Sequence, residues 1–178
     1  MIKYIIPFLL LLSTSLLAKY YDNNVMTIEA KLFPKIALLE QSIKDSSSDK
    51  LEITIIANKD DFYAADIFKN KILSNYPKPI RDKQIIIDIL TYKPSKMRNV
   101  DAIIVMSHKP KKLTEIASWA NENHIVSFTY DYSNLKYGFL ASIYIQKTTK
   151  PYLNKQTIID YNFIFDGYFL QLSKINGI

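Results

Sequence analysis

Cysteine is absent from this 178-residue chain, which excludes thiol catalysis, thiolate metal sites and disulfide frameworks together. Three isolated glycines cannot build a P-loop or a dinucleotide fingerprint, each of which needs several within a few residues. Collagen-like and low-complexity classes fall with the same scarcity. Long apolar runs are missing too: the stretch Tyr4–Leu12 is shorter than the ~20 residues of a membrane span. What is present is ordinary. Hydrophobic residues make up 48% and charged residues 22%, the balance of a single globular domain of ~100–200 residues.

The N-terminus carries an address. Met1-Ile2-Lys3 gives a positive start, an apolar run follows, and Ser13-Thr14-Ser15-Leu16-Leu17-Ala18 leads into polar Lys19. This is the three-part layout of a secretory signal over residues 1–18, with cleavage expected after Ala18 and residues 19–178 as one periplasmic domain. Leu16, three residues before that cut, is larger than the usual small residue there. A lipoprotein anchor is excluded, since no cysteine follows. The formal net charge is +6, and its basic residues are scattered, the densest group being Lys109-Pro110-Lys111-Lys112. Nucleic acid, which needs a basic stripe, is not an expected partner.

Along the rest of the chain the hydrophobic period alternates. Val25, Ile28, Leu32, Ile36, Leu39 and Ile43 lie three or four apart, predicting a helix capped by Asn24 and kinked or split at Pro34. Strands are expected at 51–57, 84–90, 100–106 and 125–129, with helices from about 60 to 76 and from 110 to 123 between them. Near-continuous apolar strands alternating with amphipathic helices indicate α/β architecture: a three-layer, open, mostly parallel sheet with helices on both faces. A fifth strand over 138–146 and a short one around Pro151-Tyr152-Leu153 form an antiparallel pair. Helices from Asn154 to Ile159 and between Asp166 and Ile175 close the chain.

Ligands of open parallel sheets sit at the carboxyl ends of the strands. Those ends supply Asn58, Ser107, His108, Tyr130 and Asp131 as the candidate ligand contacts. Ser107 and His108 are adjacent, a poor geometry for proton hand-over, and no G-x-S-x-G elbow exists, so no catalytic residue is assigned. The competing structural reading makes these side chains caps of the following helices. Asp60, beside Asp61, is read the same way. No metal site is expected, because His108 and His124 flank one helix about 24 Å apart at ~1.5 Å per residue. No cofactor is expected. Trp119 shares a helix face with Leu113 and Ile116 and reads as core, while Tyr130, Tyr132, Tyr137, Tyr144 and Tyr152 are either a recognition surface or edge packing.

Four stretches resemble the YfiR family of small periplasmic α/β proteins. They are Thr27-Ile28-Glu29-Ala30-Lys31-Leu32-Phe33-Pro34-Lys35-Ile36, then Val100-Asp101-Ala102-Ile103-Ile104-Val105 with its helix, then Ile125-Val126-Ser127-Phe128-Thr129. The fourth runs from Gly138-Phe139-Leu140 through Pro151-Tyr152-Leu153-Asn154 to Phe169-Leu170-Gln171-Leu172-Ser173-Lys174. The chain departs from better-known members in having no cysteine and no aromatic-Pro step closing the first helix. The resemblance implies a non-enzymatic regulator that binds the extracytoplasmic region of an inner-membrane diguanylate cyclase or similar sensor. A homodimer is a further possible partner. The alternative from the strand ends is a single-lobe extracytoplasmic solute-binding protein.

Overall fold

A computed structural model describes residues 21–97, 99–106 and 108–176. The expected signal, residues 1–18, lies outside them. Helix α1 spans Asn23–Ala37 and α2 Gln41–Asp45. Strand β1 (Lys50–Ile56) leads through a 3-10 turn, Lys59–Asp61, into α3 (Phe62–Asn75) and then β2 (Gln84–Leu90). Strand β3 (Ala102–Val105), α4 (Pro110–Glu122) and β4 (Val126–Thr129) follow. A 3-10 turn at Tyr132–Tyr137 precedes β5 (Ala141–Ile145), β6 (Thr149–Asn154), α5 (Lys155–Asp160), α6 (Gly167–Leu172) and β7 (Lys174–Asn176).

The seven strands form one sheet in the order β2-β1-β3-β4-β5-β6-β7. The first five are parallel, β6 runs antiparallel to β5, and β7 runs parallel to β6. The architecture is therefore α/β, a three-layer mostly parallel sheet with helices on both faces. One face buries Ile53, Ile55, Ile85, Ile87, Ile104 and Phe128 with α1 and α3, where Phe33 stacks on Phe128 at 4.4 Å and tilts against Phe68 at 6.2 Å. The other face packs Ile56, Ile103 and Val105 against Leu113, Ile116, Ala117 and Ala120 of α4. The chain passes from β1 to β2 on one side and then to β3 on the other, so the order reverses between β1 and β3. That is where an α/β sheet opens a crevice at its carboxyl edge.

Several local expectations need correcting. Asp22, not Asn24, caps α1, its Oδ1 accepting from the N–H groups of Asn24 (2.7 Å) and Val25 (3.0 Å). The helix is split, as one of the two expectations had it, but after Ala37 and not at Pro34. Pro34 lies inside α1, and its carbonyl accepts from the N–H of Leu38 at 3.1 Å. The buried residues of α1 are Met26, Glu29, Ala30, Phe33, Pro34, Ile36 and Ala37, so of the expected aliphatic stripe Ile36 is buried and the rest of the buried face lies one position round from it. Val25, Ile28 and Leu32 are only half-buried, Ile28 and Leu32 lining the margin of the core. Asp60 makes no cap: Asn58 holds the N-cap position of the short turn it occupies and Asp61 that of α3, neither with a side-chain cap bond. Trp119 is half-buried at the core margin, edge-on to Tyr92 at 6.0 Å. Asn154 does cap α5, accepting from the Thr157 N–H at 3.2 Å.

Strands β4 and β5 share a single register pair, Phe128 with Ala141. Buried hydroxyls complete the join. Ser127 Oγ accepts from the Leu140 N–H at 2.9 Å, and Ser142 Oγ donates to the Thr129 carbonyl at 2.7 Å. The turn before β5 needs Gly138 in the left-handed region, φ +100°. A Cβ there would meet only ordinary contacts, with Ala117 Cβ at 3.7 Å and Asn121 Nδ2 at 3.8 Å, so the backbone angle alone sets the cost. Gly138→Ala is expected to lower stability by about 1–2 kcal/mol, read from the midpoint of chemical denaturation at unchanged slope.

Candidate functional site

The carboxyl edge of the sheet brings together the ends of β1, β3 and β4. Asn58 is exposed there and lies within 3.4 Å of Asp61 through its Nδ2. His108 follows β3 and is half-buried. Ser107 lies outside the described residues. Tyr130 and Asp131 follow β4, and each has a definite local task. Tyr130 is half-buried, its hydroxyl accepting from the backbone N–H of Asp22 at 2.8 Å and its ring meeting Tyr21 edge-on at 5.1 Å. It thereby ties the start of α1 to the end of β4. Asp131 is exposed and caps the next turn, its Oδ1 accepting from the Ser133 N–H at 2.9 Å. The capping reading thus holds for Asp131.

The residue that sequence reasoning missed is Glu29. It lies about two turns into α1, on the face turned to the sheet, and is 0% exposed. Neither carboxyl oxygen has a hydrogen-bond partner. Burial pushes its pKa well above the ordinary 4.5, and the charge of Asp131 pushes it the same way. Tyr130 reports the same field from the other side. Its hydroxyl is pushed up to about 12 by burial and by the negative charges of Glu29, Asp22 and Asp131, against the lowering pull of its bond to Asp22. Buried polar groups are almost always paired, and an unpaired carboxyl marks a place where something other than stability is being served.

Two other surfaces compete with the rim. At the opposite, amino edge of the sheet a groove of about 630 Å³ is lined by Leu39, Arg81, Ile164, Phe165, Tyr168 and Leu172, among others. It is mixed in character, and Arg81 in its wall has structural work, donating to the Leu38 carbonyl at the end of α1 at 2.9 Å. The five tyrosines from Tyr130 to Tyr152 named above divide. Tyr130 belongs to the rim, and Tyr137 lies at the margin of the α4 face. Tyr132, Tyr144 and Tyr152 form a triangle with ring centres 5.3, 5.6 and 6.1 Å apart, and Lys174 Nζ lies 3.7 Å from the Tyr144 ring centre.

His124 follows the end of α4. Its ring stacks on Phe163 at 4.5 Å, with Nε2 3.6 Å from buried Glu40. Glu40 itself accepts from the N–H and hydroxyl of Ser42 and the N–H groups of Ile43 and Ile164, so it joins the α1–α2 corner to the C-terminal segment. Glu40→Ala is expected to destabilise by about 1–2 kcal/mol, the usual cost of a lost cap, measured by thermal denaturation. Among the described residues no group of three or more His, Cys, Asp or Glu converges as a metal site, and no helix is long and apolar enough to cross a membrane.

No family model matches the chain, and no curated protein matches it. Solved structures do share its fold. A conserved domain protein from Vibrio cholerae O1 biovar El Tor strain N16961 aligns over 83% of this chain and 60% of its own, at 9% identity and a TM-score of 0.57. The ABC domain from Streptococcus pneumonia solved in complex with L-Trp aligns over 85% of this chain and 60% of its own, at 12% identity and a TM-score of 0.50. The chain thus spans about three-fifths of each of these structures. At such identities the likeness is one of fold.

Proposed function

We propose that this chain is a non-catalytic, exported binding protein whose ligand site is the carboxyl-edge rim around Glu29, Tyr130 and Asp131. The observation that carries the reading is Glu29, a fully buried carboxyl with both oxygens unpaired, near enough to Tyr130 and Asp131 at the carboxyl end of β4 for their charges to act on one another. A fold shared with a domain solved with L-Trp bound agrees with a binding role. Export rests on the signal pattern of residues 1–18, and periplasm is the matching compartment. A ligand that binds only the folded protein stabilises it by mass action, about 2.7 kcal/mol at a hundredfold excess over Kd. The test is a thermal-shift screen of small amines, acids and sugars on the wild type and on Tyr130→Phe. A compound that raises the wild-type Tm and loses most of that effect in the variant supports the rim. Compounds that stabilise both proteins equally place binding elsewhere and contradict it.

The tyrosine triangle favours a second reading, in which binding serves regulation. Tyr132 is 41% exposed, and the three rings with Lys174 make an aromatic, cationic platform of the kind that anchors protein partners. The resemblance to YfiR-like regulators supplies the partner class, the extracytoplasmic region of an inner-membrane diguanylate cyclase or a similar sensor. Crosslinking in the host's membranes, with wild type and a Tyr144→Ala/Tyr152→Ala double variant, tests it. Capture of one sensor protein by wild type alone supports regulation, whereas equal capture by both proteins removes the platform from the account.

A further inference from the structure

The rim has a sign. Asp22, Glu29 and Asp131 all act on the Tyr130 hydroxyl, on a chain whose formal charge is +6. Two of the three acids are already in use: Asp22 Oδ1 caps α1, and Asp131 Oδ1 caps the turn that follows it. Glu29 alone has both oxygens unengaged, and the charged group that acts on it is another acid, Asp131. We propose that the ligand of this site is a small molecule bearing a protonated amine, its ammonium seated on the Glu29 carboxylate with Asp131 adding to the attraction. This rests on the rim being the binding site.

The chemistry favours an organic cation over a metal ion. A hard cation needs six or more oxygen ligands, or fewer with retained water, and the surroundings of Glu29 on α1 are Met26, Ala30 and Phe33. An ammonium needs only two or three acceptors and brings an apolar body suited to such walls. The access this proposal requires is between the start of α1 and the end of β4, which the Tyr21–Tyr130 ring pair and the Asp22–Tyr130 hydrogen bond tie together. Tyr130 therefore must shift as the amine enters.

Binding also has a proton balance. In the empty protein, burial and Asp131 favour the protonated Glu29 carboxyl. The ammonium keeps its own proton, Glu29 gives up its proton to the buffer, and the product is a carboxylate–ammonium pair. The experiment is calorimetric titration of the purified protein with 2-phenylethylamine and with 3-phenylpropionate at pH 6.5, in two buffers of different ionisation enthalpy. Wild type, Glu29→Gln and Tyr130→Phe are compared, each first checked for folding by circular dichroism. The expected result is amine binding with release of up to one proton, at least tenfold weaker binding and no release in Glu29→Gln, and no response to the carboxylate. Two results overturn the amine assignment: amine binding unchanged in Glu29→Gln, or equal binding of both probes. If the carboxylate binds and Tyr130→Phe weakens it, the rim stands as a site and its sign is wrong. If neither probe binds up to about 10 mM, weaker than the −4.1 kcal/mol of a 1 mM complex, the rim does not read amines and the assignment falls.

Discussion

Phe33→Ala is expected to cost about 3–5 kcal/mol, the range for removing a fully buried aromatic side chain. Phe33 is 0% exposed, stacks on Phe128 of the central strand β4 and meets Phe68 of α3. It therefore joins three elements, and alanine leaves a cavity that none can fill without moving the others. The loss approaches the whole stability of many domains, which is ~5–15 kcal/mol. Urea denaturation checks it, with the midpoint falling and the slope kept. A loss below about 1 kcal/mol would mean that α1 is loosely docked, and the rim geometry built on α1 would fall with it.

Glu29→Met is expected to do the opposite. A buried polar group without partners costs about 1–3 kcal/mol, and Met replaces the carboxyl with an apolar side chain of similar length. For a domain of this size 1 kcal/mol moves Tm by about 2–4 °C, so a rise of several degrees is expected at neutral pH. The pH dependence has a definite sign. Burial raises the folded-state pKa of Glu29 above its ordinary 4.5, so the folded protein holds a proton that the unfolded chain releases. Stability from this group is fully present below the ordinary value and is lost as pH climbs toward the raised one. The gain from Glu29→Met should therefore be smallest near pH 4 and grow as pH rises. Differential scanning calorimetry of both proteins across that range reads it. A variant less stable than wild type at every pH would show that Glu29 holds the fold together and is not reserved for a ligand.

The sheet was legible because buried parallel strands announce themselves. Gln84–Leu90 matched its strand to the residue, since Ile85, Ile86, Ile87 and Ile89 leave no other reading between turn residues. The antiparallel return to Thr149–Asn154 followed from the short linker after Ile145. Strand β7 was not visible: Lys174-Ile175-Asn176 has no periodic signal, and it pairs only because α6 ends and returns the chain beside β6.

The candidate site was half legible. Asn58, His108, Tyr130 and Asp131 follow from knowing where strands end, and the structure sets them on one edge. Glu29 did not follow, for a definite reason. Six aliphatic residues at helical spacing phased α1 on Ile28 and Leu32, which placed Glu29 outside the buried stripe. The sheet takes Met26, Ala30 and Phe33 as well as Ile36, because Phe33 finds Phe128, and that wider buried face carries Glu29 inward. The usable signal was Met26, Ala30, Phe33 and Ala37, an equally regular stripe that a glutamate interrupts.

The central claim is that the carboxyl-edge rim binds the ligand. Its most direct test is amide chemical-shift mapping of the isotope-labelled protein with a fragment library of amines, acids and neutral aromatics. The account predicts shifts at Glu29, Ala57, Asn58, His108, Tyr130 and Asp131, with amines producing the largest. Shifts confined to Leu39, Ile164, Phe165 and Tyr168, in the groove at the opposite edge of the sheet, would contradict it.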